Sequence, residues 1–252
     1  MATKTCLRCG LNCADRPRIR DQHGRYVCKS CLKPNELVLL DDVAIHPDTF
    51  KIRRRGRGEL MGLAGRFVRT HNPNGEIPVP IEHILEVNLE FNIAPAEGIL
   101  EDAATYGVLA CQERTIFVDA HLHQSDRGSD KAQFRFTLAH EYAHFGLHPE
   151  LYDGQPAFSD ARSFKDFMTR WPDSERDEAE RQADAHAGFV LVPTEPLVER
   201  FDRLVRERET RIYPRSAFSD DHREEVAYVL AAQFEVPIEV IRLRLADERL
   251  WE

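Results

Sequence analysis

The chain has 252 residues, enough for one large domain or a core domain with one or two small attachments. Its 42% hydrophobic and 31% charged residues suit a globular protein with a buried core, and no run approaches the roughly 18 apolar residues of a membrane span. The net charge of −9 is uneven: residues 1–70 carry 15 Lys+Arg against 7 Asp+Glu, and residues 71–252 carry 19 against 36, as expected of a basic module joined to an acidic one.

The opening residues lead into cysteines rather than an apolar stretch, which predicts no secretory signal and a soluble, cytoplasmic chain with no membrane partner. Residues 1–40 form a cysteine-rich basic head. Residues 41–77 read as a basic connector containing Arg53, Arg54, Arg55 and Arg57, with weak strand patterns at 49–53 and 65–69. From 78 the pattern is α+β. Ile81, Ile84, Leu85 and Leu89 predict a helix over 80–91, and the runs 105–111 and 115–118 predict a hairpin. A helix is expected from about 130 to 147, stopped by His148-Pro149, and a second from 173 or 174 to the residue before Pro193. Residues 149–172 read as loop with one short helical piece. Residues 196–252 carry three apolar helical faces, marked by Leu197 and Phe201, Val226 and Leu230, and Ile241 and Leu245. The core is accordingly placed at 78–195 and a C-terminal helical region at 196–252.

The chemistry concentrates in His140-Glu141-Tyr142-Ala143-His144. Histidines four apart project from one helical face and can bind one metal ion, while the intervening glutamate can reach a metal-bound water as general base. A catalytic zinc needs a third ligand. On the second long helix, Glu180 is flanked by Ala179, Ala185, Ala187 and Gly188, small residues that permit close helix packing. Asp184, one turn later, can accept a hydrogen bond from the non-ligating nitrogen of a zinc histidine. The competing reading makes Glu180 one of many solvated charges between 175 and 184, and spacing alone does not choose between the two.

Residues 134–148, Phe-Arg-Phe-Thr-Leu-Ala-His-Glu-Tyr-Ala-His-Phe-Gly-Leu-His, resemble the metal-binding helix of ImmA/IrrE-type metallopeptidases. Glu180, Ala183, Asp184, Ala187 and the run Val190-Leu191-Val192-Pro193 resemble that family's second signature, and the likeness spans about 78–250. The resemblance implies a zincin-like helical core beside a small sheet, with zinc held by His140, His144 and Glu180 and with Glu141 as catalytic acid/base. It also implies an endopeptidase acting on a regulatory protein, a transcriptional repressor. His186 departs from the pattern by standing where a bulky apolar residue is usual.

Cys6, Cys9, Cys28 and Cys31 form C-x2-C-x18-C-x2-C, the spacing of a structural four-cysteine zinc site in a zinc ribbon, so two zinc ions per chain are expected. Cys13 is left over, as a thiol or a substitute ligand. Arg8, Arg16, Arg18, Arg20, Arg25, Lys29 and Lys33 make the head a candidate for nucleic-acid phosphates, with Tyr26 its single aromatic residue. His148 reads as a helix C-terminal charge and Cys111 as a small buried strand residue. The rival to the peptidase is a non-proteolytic zinc-containing module that senses or binds DNA or a repressor.

Overall fold

The computed structural model describes Cys6, 18–20, 26–28, 51–152, Phe164, 167–168, 171–209 and 219–251. The chain forms two compact units, Met1–His46 and Pro47–Glu252. In the first, β1 (Arg18–Arg20) pairs antiparallel with β2 (Tyr26–Cys28), and Arg18 stands opposite Cys28. Cys6 is buried. Cys9, Cys13 and Cys31, with most of the basic side chains of the head, lie outside the described residues, and so does most of the expected loop 149–172.

The second unit begins with an irregular strap, 51–56, that leads into α1 (Arg57–His71). The strand pattern read at 65–69 is therefore helix. The short alternation there lies within a longer helical stripe, Leu60, Ala64 and Phe67, whose side chains are all buried. Glu59 in the first turn and Arg69 and His71 in the last also match the helix dipole.

A single turn, α2 (Ile81–His83), continues as a π-helical stretch, Ile84–Asn88, within the helix expected at 80–91. It feeds β3 (Asn92–Ala96), followed by α3 (Ile99–Ala103), β4 (Gly107–Ala110) and β5 (Thr115–Asp119). The sheet order is β3-β5-β4: β4 and β5 make the expected antiparallel hairpin, and β3 lies parallel to β5 with Asn92 opposite Thr115. β3 escapes sequence reading because Pro95 interrupts it, and proline is tolerated here because β3 is an edge strand.

Next come α4 (Ala120–Gln124), the long α5 (Gly128–Leu147), the short α6 (Pro149–Tyr152) and α7 (Asp173–Leu191). α5 packs on the sheet and on α7, and α1 packs on the same α7. Both long helices, α5 and α7, bury small side chains. Ala132, Ala139 and Ala143 of α5 and Ala179, Ala183 and Ala187 of α7 are buried, and side chains this small permit close helix packing. α8 (Thr194–Glu209), α9 (Asp220–Phe234) and α10 (Ile238–Asp247) close the unit, burying Leu197, Phe201, Leu230, Ile241 and Leu245. The described residues are mostly helical with a small sheet, an α+β arrangement, and none of their helices is long and apolar enough to cross a membrane.

The arginine run of the strap is neutralised within the molecule. Arg54 lies 2.6 Å from Glu175, whose other oxygen accepts the backbone N–H of Ile52 at 3.0 Å. Arg53 pairs with Glu59, Arg57 pairs with Asp247, and the Arg53 carbonyl accepts from Gln182 of α7. Arg54 and the Arg53 carbonyl thus hold the strap to α7, Arg53 pairs with α1 through Glu59, and Arg57, the first residue of α1, ties that helix to α10. Glu175→Ala leaves the buried Ile52 N–H without its acceptor and is expected to lower unfolding stability by about 1–3 kcal/mol, read as a shifted denaturant midpoint at unchanged slope.

Candidate metal centre

Because α5 carries His140 and His144 one turn apart, their rings stand side by side with Nε2 atoms 3.0 Å from each other. α7 lies close enough for the Glu180 carboxylate to complete the group, Oε2 at 3.1 Å from Nε2 of His140 and Oε1 at 3.5 Å from Nε2 of His144. Ligand atoms of a tetrahedral zinc ion, each about 2.0–2.1 Å from the metal, lie about 3.3 Å apart. Two imidazoles and a carboxylate at these separations fit such an ion. The Glu180 side chain is 42% exposed while that of His144 is 3% exposed, so the group opens to solvent on the Glu180 side.

Asp184 lies on the far side of His140, its Oδ1 2.8 Å from Nδ1. A proton held there on Nδ1 leaves the Nε2 lone pair facing the other donors. Burial works against a charge on His140, but the hydrogen bonds to Asp184 and Glu180 and the nearby Glu141 outweigh it and carry its pKa up to about 10. Burial likewise opposes the charge on Glu180, yet the hydrogen bonds to both histidines hold its carboxyl far below the usual carboxylate range. A proton and a metal ion therefore compete for the same nitrogen of this charged cluster.

Glu141 lies beside the two histidines on α5, 5% exposed, against Gly107 of β4. Burial pushes its carboxyl up, against the pull of His140 and His144 and of a hydrogen bond from the Leu109 backbone. A raised carboxyl pKa suits a group that takes up and returns a proton near neutrality. Its seat depends on Gly107. A Cβ there would come within 2.5 Å of Thr137 Cγ2 and 3.0 Å of Glu141 Cγ, so only glycine lets β4 approach α5 at this point.

The family model for the IrrE N-terminal-like domain, Peptidase_M78, matches residues 99–246. The chain belongs to this family. The matched stretch runs from α3 to α10 and contains every residue of the site, and membership makes the chain a metallopeptidase by family. No curated protein is similar enough to the chain to add a second comparison.

The structure thus brings together the sequence-derived group His140, Glu141, His144, Glu180 and Asp184. Tyr142, although adjacent in sequence, turns away into an aromatic cluster with Phe67 and Phe91, at ring distances of 5.0 and 5.8 Å, and offers nothing to the site. His186 is buried on α7, and burial together with the charge of Arg55 holds its pKa down at about 4. His148 stands at the C-terminus of α5, as the sequence placed it, but it carries no charge there: it is fully buried, and burial, with the neighbouring His144 and Arg55, holds its pKa down at about 3. The spacing 140, 144, 148 puts it on the same face as the other two histidines, a signal the sequence did carry.

Two outcomes are expected. Gly107→Ala displaces Glu141 and lowers peptide hydrolysis by roughly 10–100-fold with zinc retained, checked by turnover and metal analysis of one preparation. Since His140 keeps its proton up to a pH of about 10 in the metal-free site, zinc binding near neutrality displaces that proton. Zinc affinity at the α5–α7 site should therefore rise about tenfold per pH unit from about pH 7 to 9, read by chelator competition.

Proposed function

We propose that the chain is a zinc-dependent endopeptidase that cleaves a regulatory protein, a transcriptional repressor, in the cytoplasm. The observation that carries this reading is the convergence of the His140, His144 and Glu180 donor atoms within 4.8 Å of one another, with a buried carboxyl beside them. In this reading His140, His144 and Glu180 hold the zinc, and Asp184 fixes the His140 ring. When bound, zinc supplies Lewis acidity, lowering the pKa of water toward neutrality and polarising the scissile carbonyl. Glu141 takes the proton released by the attacking water and delivers it to the leaving amine nitrogen. The Leu109 backbone and the close wall of Gly107 keep its carboxyl group at one place through both transfers.

The organisation proposed is a head at 1–40 stapled by a structural zinc on Cys6, Cys9, Cys28 and Cys31, a connector at 41–77, a peptidase core at 78–195 and C-terminal helices at 196–252. The basic head is then the part proposed to meet nucleic acid, while Arg53 and Arg54 of the strap are paired with Glu59 and Glu175. The rival reading, a non-proteolytic module that binds DNA or a repressor, draws on the basic head but gives no role to a buried carboxyl with a raised pKa next to the donor group.

Glu141→Gln keeps the side-chain volume and removes the base. It is expected to retain zinc at wild-type stoichiometry and to cut candidate repressor proteins at least about a hundredfold more slowly, measured by gel or mass spectrometry. A chelator should abolish cleavage by the wild-type chain. Wild-type turnover by the Gln variant, or a repressor bound but left whole by the zinc-loaded wild-type chain, would overturn the peptidase reading.

A further inference from the structure

Metal ligation fixes where an imidazole keeps its proton. A histidine that offers its Nε2 lone pair to an ion carries the proton on Nδ1, and that N–H needs an acceptor to hold the ring in place. For His140 the acceptor is the Asp184 carboxylate. On His144 the corresponding nitrogen meets a second imidazole, Nδ1 of His148 at 3.1 Å. Two ring nitrogens at that distance form a hydrogen bond only if one is protonated and the other offers a lone pair. With the proton on His144, the lone pair must be on His148.

The surroundings of His148 suit that role. It closes α5, where its backbone N–H donates to the His144 carbonyl and its own carbonyl accepts from Leu151, so the residue is tied down on both sides. Its ring is buried and inclined at 51° to that of His144, with centroids 5.2 Å apart. The remaining nitrogen, Nε2, is buried without a well-formed hydrogen bond among the described residues, and the neighbouring Gln182 amide acts on the ring as a weak acceptor for an N–H. His148 is no third imidazole ligand, because it approaches His144 at Nδ1 and the donor group is built on Nε2.

We infer that His148 is a positioning residue: a neutral imidazole whose Nδ1 accepts the Nδ1–H of His144 and so aims the Nε2 lone pair of His144 at the ion. The inference rests on reading His140, His144 and Glu180 as a metal centre and adds to it a fixed tautomer at 148. It also makes the two ligating histidines unequal. One is backed by a carboxylate, the other by an uncharged ring that pulls less on its proton, so His144 is the weaker electron donor of the pair.

The test uses the full chain and zinc itself. Zinc affinity is measured by chelator competition, with His140→Ala supplying the background from any other zinc in the chain. His148→Leu fills the space without an acceptor and is expected to weaken the site about 10–100-fold. His148→Asn, whose Oδ1 can accept at the same place, is expected to recover most of the loss. In the zinc-loaded wild-type protein, long-range 15N–1H spectra, with the ring assigned by its disappearance in His148→Asn, should show His148 protonated at Nε2 alone. A folded His148→Leu chain with wild-type affinity, no difference between the Leu and Asn variants, or a His148 ring protonated at Nδ1 overturns this inference and leaves the metal centre standing. A wild-type chain that binds no more zinc than His140→Ala overturns both.

Discussion

The close contact of α5 with α7 is the constraint on which the rest of the molecule depends. Histidines one turn apart on a helix are easily arranged, but the carboxylate that joins them comes from 36 residues further along the chain. It reaches them because α7 packs closely on α5, and both helices bury alanines, Ala139 and Ala143 on one and Ala179, Ala183 and Ala187 on the other, whose small side chains permit a close approach. Any larger side chain in that seam would separate the backbones and carry Glu180 away from both rings, at the overpacking cost usual for a full core. The same seam lets Asp184 reach His140, so one packing decision sets both a donor group and its support.

Around this seam runs a continuous set of polar contacts. The strap is held to α7 through Arg54 and Glu175, and Gln182 on the next turns of α7 takes the Arg53 carbonyl. Arg55 contacts Gln182 and acts through its charge on His148, which in turn meets His144. Residues that precede the peptidase helices in sequence thus form part of the wall behind the donor group. Burying this much polarity is tolerated because most of these groups have partners, and the low dielectric of the interior makes each such bond harder to break.

How far the sequence disclosed this arrangement depended on where each partner lay. α5 and α7 were readable because their periodic apolar and small residues extend over many turns, and the β4–β5 hairpin because its strands alternate around a short polar turn. The group His140, Glu141 and His144 was readable from local spacing, whereas Glu180 needed the likeness to a second helix signature. Part of α1 was mistaken for strand because the five residues Gly65 to Arg69 overlap only the end of a buried helical stripe that begins at Leu60. β3 was missed because its stability comes from β5, more than twenty residues away, and not from its own residue types. The pairing of the strap was not legible because Glu175 stands 121 residues from Arg54, a distance over which charge pairing leaves no pattern in a single sequence. The place of His148 at the helix end was legible, but its burial was not, because a helix end by itself suggests a charge facing solvent.

The proline within β3 has a consequence of another kind. An exposed border of a sheet is a template on which a second molecule can lay down its own backbone, the first step of association at high concentration. Pro95 withholds an amide from that border, at the outer side of β3, opposite the hairpin that supports Glu141. Crowded copies of the chain are thereby discouraged from zipping together along this margin of the sheet.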